Sequence, residues 1–356
     1  NWNNFTSKIN YTLHIWLDFR DSSNLLHSYN IINMFNIFFS IITSGTSIIC
    51  VQYIGAGKSK KENQKLIGSS LIFNTLIGVL FSAIIFFFHA PLLRFMNTGV
   101  DFWEYSRVYL IIVGSSIFLQ AIMNTFTAAL RSYSYTKLCM YVTVIVNILN
   151  IVGNYALIYG RFGLPSLGVK GAAIATIIGQ ALTFAMSMAY LFRAKNFKIS
   201  RKSVRLETSI FSRIISIGMA SLIVQLSIVV IIAVNNNLLS KYGYETFAST
   251  GVAFGSVIPL AVVGIVMKVF GIVVSIVIGI SLGGQPIIGF NMGAGNVERV
   301  KETISTITKI VLAIGTVFFL IFELAPDFVI SLFGKNNSPE YTEYARLCVR
   351  IFLSGI

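Results

Sequence analysis

Long apolar runs alternate with short polar connections along most of the chain. A run of about 20 apolar residues is long enough for an α-helix to cross the hydrocarbon core of a bilayer. Transmembrane barrel strands would instead be only about 10 residues of alternating pattern. The chain is therefore predicted to be an all-α polytopic membrane protein. Its spans are predicted at about 30–54, 66–89, 105–128, 138–160, 171–193, 210–239, 259–289 and 303–324, with a last, cut-off span from about 341.

The first 29 residues do not follow this pattern. Residues 1–10 are polar, and residues 11–19 form only half a span before Arg20 and Asp21. A signal peptide would need a basic start followed by a clean apolar core, and that pattern is missing. We expect a first helix that is degraded or truncated.

A short motif occurs twice in the chain, 238 residues apart. Each copy ends one apolar run with Gly-Ala-Gly and continues into a basic loop, at residues 55–57 and again at 293–295. A second pair of similar segments, Glu-Tyr-Ser-Arg at 104–107 and Glu-Tyr-Ala-Arg at 343–346, recurs at an offset of 239. Six predicted spans separate the copies, so both have the same orientation. Parallel repeats of this kind occur in transporters whose pathway runs between the two halves.

The repeat predicts two lobes joined by a long polar connection. The amino-terminal lobe is predicted at 1–193, the connection at 194–209 and the carboxy-terminal lobe at 210–356.

The charge of the chain follows the membrane pattern. Charged residues make up 11% of the chain, against roughly 25% in soluble domains, and the net charge is +14. Most Lys and Arg residues lie on one side, which is cytoplasmic by the positive-inside rule. We therefore expect membrane lipid as a partner, no nucleic acid, and location in the inner (plasma) membrane. The loops predicted to be cytoplasmic are 55–65, 129–137, 194–209 and 293–302.

Signatures of catalysis are missing from the sequence. The three His residues are scattered, and Cys50, Cys139 and Cys348 have neither metal-ligand nor disulfide spacing. The complete Walker motif Gly-x-x-x-x-Gly-Lys-Ser/Thr, which would indicate ATP binding, does not occur. We predict a protein that is not an enzyme and has no cofactor.

Polar residues inside predicted spans are the candidates for function, because they are costly in lipid. Asn147, Asn150 and Asn154 are three and four residues apart and share one helical face. The next span opens with the small residues Gly171–Thr176, which allow close helix contact. Two interpretations fit: oxygen ligands for a cation such as Na⁺ or partners of a carboxylate that takes H⁺, or hydrogen bonds that only join the helices.

Further candidates lie in the predicted span 259–289. Lys268 is a substrate-side or gating charge, the partner of an acid outside this chain, or a side chain whose stem reaches toward the interface. Gln285 and Pro286 predict a bend, because proline removes a backbone donor, and a bend here is either a hinge or a simple kink.

Two segments resemble the MATE (multidrug and toxic compound extrusion) family. Residues 150–176 are similar to its fifth and sixth helices, and residues 283–301 to its eighth helix and following loop. Gln225 and Asn235–Asn237 also fit the seventh helix. The resemblance runs from about residue 30 to 356 and is closest to the bacterial DinF-like and MepA-like branch.

This resemblance implies twelve helices in two six-helix lobes, and export of lipophilic or cationic organic compounds in exchange for Na⁺ or H⁺ by alternating access. It also implies that the chain lacks the last two helices. A monomer is expected. The resemblance places the cation site at Asn150, Asn154 and Thr176, with a first-helix acid for which Asp18 is the candidate. The remaining candidates, for the substrate pathway or its gating, are Asn147, Gln225, Lys268, Gln285 and Pro286.

Two alternatives remain open at the level of sequence. A lipid-linked oligosaccharide flippase of the same superfamily would share the duplicated bundle but needs a more cationic cavity, and Lys268 is the one clear cation deep in a span. A non-transporting fragment would also fit the unusual first 29 residues.

Overall fold

The computed structural model describes residues 19–96, 98, 103–193, 207–248, 257–331 and 339–353. Within these residues the regular secondary structure is entirely helical, so the predicted all-α class is confirmed. The helices are α1 Phe19–Gly55, α2 Lys60–Phe95, α3 Trp103–Ser115, α4 Ile117–Ser132, α5 Thr136–Tyr159, α6 Val169–Arg193, α7 Thr208–Ala248, α8 Val257–Gly293, α9 Val297–Leu324, α10 Pro326–Ser331 and α11 Pro339–Leu353.

Eight of the predicted spans correspond to helices, or to a bent helix pair, that can cross a membrane. Among the described residues, seven single helices are long and apolar enough, and the α3–α4 pair makes an eighth. Many of their large apolar side chains are exposed in the isolated chain, such as Phe87 at 72% and Ile151 at 63%. Such surfaces suit contact with lipid rather than water.

Three predicted spans differ in detail from the structure. The predicted span 105–128 is two helices, α3 and α4, bent by 45° at Ser116. The α2 helix continues past residue 89 and contains Pro91, with a non-helical residue, Phe88, one turn before it. The α1 helix begins by Phe19 rather than near residue 30.

The described chain divides into two compact units between Val224 and Gln225. In the first unit, two apolar cores lie among α1, α2, α3, α4 and α6 and the start of α7. Their fully buried side chains include Phe39, Phe126 and Ile214. The predicted lobe boundaries at 193 and 210 stay a prediction.

The start of α7 is held against α1 by glycines. A Cβ on Gly45 would overlap the carbonyl oxygen of Ile214, and a Cβ on Gly218 would overlap that of Ile41. Only residues without a side chain permit this approach, and small residues commonly mediate helix contacts in membranes. The first four turns of α7 therefore complete the first unit.

The second unit has its own core. Valines from α8 pack with Phe322 of α9, with residues of α10 and with Val349 of α11. The α8 and α9 helices pack along each other, and α11 lies against both.

Both copies of the Gly-Ala-Gly motif form the same helix end. Gly57 and Gly295 have φ values of +66° and +74°, which is the left-handed region. After α1, the N–H of Lys58 donates to the Tyr53 carbonyl at 3.0 Å, and after α8 the N–H of Asn296 donates to Asn291 at 2.9 Å. This 6→1 bond, with a shorter bond from each left-handed glycine, is the Schellman motif. The motif is thus repeated in structure as well as in sequence.

The second pair of similar segments also makes corresponding contacts. In the first unit, Arg107 of α3 contacts His89 near the end of α2, with Nε 3.4 Å from Nε2. In the second unit, Arg346 of α11 donates from Nη2 to Oδ2 of Asp327 in α10 at 2.8 Å. His89 and Asp327 are themselves 238 residues apart, so the two contacts lie at matching positions of the repeat.

Candidate functional site

The α5 and α6 helices form a tightly packed hairpin. The backbone of Gly171 lies directly against Leu157, where a Cβ would overlap the Leu157 carbonyl group. Further along, Gly153 faces Ala175, and Gly179 faces the side chain of Asn150. The small residues of the predicted span 171–193 therefore do provide close helix contact, on the side of α5 that carries Asn150.

Two of the predicted asparagines bond to each other on this side. Asn154 Nδ2 donates to Asn150 Oδ1 at 3.0 Å, one helical turn away. The remaining oxygen, Asn154 Oδ1, is shielded from solvent and has no hydrogen-bond donor among the described residues. An unsatisfied buried polar atom costs about 1–3 kcal/mol. The pair therefore presents one acceptor that a cation or a proton donor would satisfy.

Thr176 lies on α6 beside this contact line. Its hydroxyl donates to the Ala172 carbonyl at 2.9 Å, one turn earlier in the helix. Because that bond uses the only hydrogen of the hydroxyl, its oxygen keeps acceptor capacity. Thr176 is next in sequence to Ala175, which faces Gly153, so helix geometry places it at the same depth as the asparagine pair.

Of the other predicted residues, one lies on α5, and the rest lie in the second unit or outside the described residues. Asn147 is exposed on α5, and Gln225 is exposed on α7. Gln285 and Pro286 are half-buried within α8, in the second unit, and α8 continues through the proline. The side chain of Lys268 and the whole of Asp18 lie outside the described residues.

A set of buried polar contacts in the first unit was missed by the sequence reasoning. They join α1, α2 and α4: Thr46 to Ser70 at 2.6 Å, Asn74 to Thr125 at 2.7 Å and Ser47 to Ser132 at 3.3 Å. Asn63, Ser70 and Asn74 are seven and four residues apart, so their helical spacing was a usable signal. Asn36, Asn63 and Asn74 also each have a buried Oδ1 without a donor in the described part of the chain.

The bend between α3 and α4 carries another unpredicted contact. Ser116 Oγ lies 3.0 Å from Gln180 Oε1 of α6 and also bonds the Val113 carbonyl. The polar bend is thus tied to the helix that carries Thr176.

The loop end of the first unit is basic. Lys58 Nζ lies 4.1 Å from the ring centroid of Tyr53, and Arg213 donates to the Tyr53 hydroxyl at 3.3 Å. Lys65 forms an ion pair with Glu207 at 3.3 Å. The Lys-rich α1–α2 loop and the start of α7 are therefore at the same end of this unit.

Tyr133, in the α4–α5 connection, is half-buried. Burial raises the pKa of its phenol far above the ordinary value, the nearby Cys50 thiol raises it further, and a hydrogen bond with Asn63 opposes both. Tyr133 therefore stays a neutral hydroxyl at physiological pH.

Comparison with known proteins identifies relatives that match large parts of the chain. The model of the MatE family matches residues 26–156 and 239–356. The chain is 36% identical to the uncharacterized transporter YisQ of Bacillus subtilis over 56% of this chain and 44% of that protein. It is 27% identical to the probable multidrug resistance protein NorM of Thermotoga maritima, over 86% of this chain and 63% of that protein. The chain thus spans less than two thirds of the length of either.

A solved structure supports the fold. A MOP superfamily transporter from Pyrococcus furiosus is 21% identical, with a TM-score of 0.80 over 98% of this chain and 75% of that one. At this identity the match concerns the arrangement of helices alone.

Proposed function

The chain belongs to the MatE family, and on this premise we propose that it is a secondary active transporter. It exports lipophilic or cationic organic compounds in exchange for Na⁺ or H⁺ by alternating access. The description of the Thermotoga maritima relative as a probable multidrug resistance protein supports the substrate class. Among the described residues, no observation favours the oligosaccharide flippase.

The buried oxygen of Asn154 is the observation that carries the coupling part of the proposal. It lies on the α5–α6 contact line, and the amide group is oriented by its bond to Asn150. A Na⁺ ion would take this oxygen as a ligand, together with oxygens such as that of Thr176. A protonated carboxyl group would satisfy the same oxygen by donating a hydrogen bond. Asp18 remains the proposed source of that carboxyl group.

Coupling then follows from differential affinity. The ion shifts the transporter toward the state in which the Asn154 oxygen is engaged, and the shift is no larger than the difference between its affinities for the two states. Hydrogen bonds to charged groups contribute about 1.5–3 kcal/mol. Losing this ligand should therefore weaken ion affinity about 10- to 100-fold.

The test replaces Asn154 with Ala in the full-length protein and measures ethidium efflux from cells as a function of the Na⁺ and H⁺ gradients. We expect the Asn154→Ala protein to insert normally into the membrane. Because its ion affinity is lower, it should need a larger ion gradient than the wild type to drive the same efflux. The control is Thr143→Ala, because Thr143 is exposed on the same helix and bonds only to the Cys139 carbonyl among the described residues. Normal efflux by Asn154→Ala at all gradients would show that the site is wrong. Loss of efflux in both variants would point to damage of α5 instead.

We further propose a monomer in the inner (plasma) membrane, with the loops at 55–65, 129–137, 194–209 and 293–302 in the cytoplasm. The clustering of Lys58, Lys65 and Arg213 at one end of the first unit supports this orientation. The lobe boundaries at 193 and 210 belong to the same proposal.

A further inference from the structure

A cavity of about 460 Å³ lies where the α4–α5 connection meets the end of α6. Its lining is unusually uniform in chemistry. Among the described residues it consists of hydroxyl-bearing side chains and one cation, with the apolar Leu138, and it includes no acid. The polar lining residues are Ser134, Tyr135, Thr136, Lys137, Tyr141 and Tyr190.

The cavity attracts negative charge from two directions. Lys137 supplies an exposed ammonium group. The α5 helix also begins here, and Tyr135 at its N-cap gives no side-chain hydrogen bond. The first helical bond runs from the Cys139 N–H to Tyr135, so the N–H groups of Thr136, Lys137 and Leu138 have no intrahelical acceptor. Such N–H groups, with the positive end of the helix dipole, favour an anion.

The cavity lies at the ends of two candidate membrane spans. Thr136 is the first residue of one candidate span, and Tyr190 is the last residue of another. Tyr135 and Tyr190 pack edge to face, with ring centroids 6.2 Å apart. Tyrosine is typical of the boundary between membrane and water because its ring is apolar and its hydroxyl is polar.

An apolar stripe leads from the cavity into the membrane region. Val144 and Ile148 follow Tyr141 at three and seven residues on α5, so the three side chains share one helical face. Their exposures are 58% for Tyr141, 50% for Val144 and 56% for Ile148. A ligand with a charged head in the cavity could lay a hydrocarbon chain along this face.

We propose that this cavity binds one anionic phospholipid by its headgroup. Lys137 and the N-terminal N–H groups of α5 hold the phosphodiester. The hydroxyls of Ser134 and Thr136 bond the free hydroxyls of a glycerol headgroup, and an acyl chain lies along Tyr141, Val144 and Ile148. The site is separate from the asparagine pair, and its occupancy does not depend on the proposed transport.

The test is native mass spectrometry of the purified full-length chain titrated with phosphatidylglycerol or phosphatidylethanolamine. We expect the first phosphatidylglycerol to bind more tightly than phosphatidylethanolamine. Lys137→Gln should weaken phosphatidylglycerol binding about fivefold, the contribution of one Lys near an anionic surface, and should leave phosphatidylethanolamine unchanged. Lys137→Arg should retain the preference.

The matched control is Lys170→Gln. Lys170 is also exposed, but it lies at the start of α6, at the opposite end of the same hairpin. The Lys170→Gln variant should bind phosphatidylglycerol as tightly as the wild type does. Equal binding by Lys137→Gln and the wild type, or no preference between the two lipids, would overturn the proposal. Displacement of the lipid by millimolar sn-glycerol 3-phosphate would also overturn it, because the site would then belong to soluble phosphoesters.

Discussion

At the scale of single residues, the amide of Asn154 is oriented but incompletely bonded. Its nitrogen donates to Asn150, while its oxygen is buried without a donor among the described residues. Such an atom lowers stability when nothing binds it, and it raises affinity for whatever does. The coupling ion proposed above would satisfy this oxygen, whereas helix contact alone would leave it unsatisfied.

A stability measurement separates these roles. Asn154→Leu removes the unsatisfied oxygen but also takes the donor from Asn150 Oδ1, so its unfolding temperature in choline chloride at neutral pH should stay close to that of the wild type. Only the wild type should gain stability from the coupling ion, since a ligand that binds the folded state stabilises it by mass action. Thermal unfolding with added Na⁺, and separately at lowered pH, gives the comparison. An equal gain in both proteins would place the ion elsewhere.

At the scale of elements, the two Schellman ends depend on left-handed glycines. Nothing lies within 4 Å of a Cβ built on Gly295, so the cost of a side chain there comes from φ alone. The left-handed conformation costs an ordinary residue about 1–2 kcal/mol, and Asn less.

Gly295→Ala should therefore lower the free energy of unfolding by about 1–2 kcal/mol, and Gly295→Asn by clearly less. Denaturant titration of both variants in the same detergent tests this. If Ala and Asn cost the same, backbone conformation is not what selects glycine after α8.

The crossing of α1 and α7 depends on glycine for another reason. At Gly218 a Cβ would overlap the carbonyl oxygen of Ile41, and backbone on both sides leaves little room to adjust.

Gly218→Ala should destabilise the first unit by about 1–3 kcal/mol, the usual range for overpacking. Gly271→Ala is the matched control, because a Cβ at Gly271 in α8 meets nothing within 4 Å. The control should be neutral or slightly stabilising, since Ala has the higher helix propensity. Thermal unfolding of the two variants measures the difference, and equal behaviour would contradict the close crossing.

The sequence predicted the existence of the spans well, because a long apolar segment in lipid must satisfy its own backbone hydrogen bonds and therefore forms a helix. It also indicated the repeat at Gly57 and Gly295. It could not predict the bend at Ser116, where the polar group is compensated by Gln180, distant in sequence. The Asn154 site was predicted by residue type and spacing. Its unsatisfied oxygen was not, because a helix that is apolar on all sides does not reveal which face is buried.

At the scale of the whole molecule, the charge asymmetry predicts an orientation. Lys58 lies in a basic loop predicted to be cytoplasmic, while Leu164 is exposed in the α5–α6 connection at the other end of the hairpin.

Single cysteines at these two positions, in a background with Cys50, Cys139 and Cys348 replaced, test the orientation in intact cells. A membrane-impermeant maleimide should label the Leu164→Cys variant at once and the Lys58→Cys variant only after permeabilisation. The reverse pattern would invert the proposed topology, and with it the leaflet of the proposed lipid site.

The place of Gly218 has a consequence for biosynthesis. The first four turns of α7 complete the core around Ile214 and Gly45, yet the ribosome makes them only after α1 to α6 and the polar connection. The core of the first unit therefore cannot be complete until the first turns of α7 have been made. Its final packing is timed by the synthesis of a helix that follows the predicted connection at 194–209.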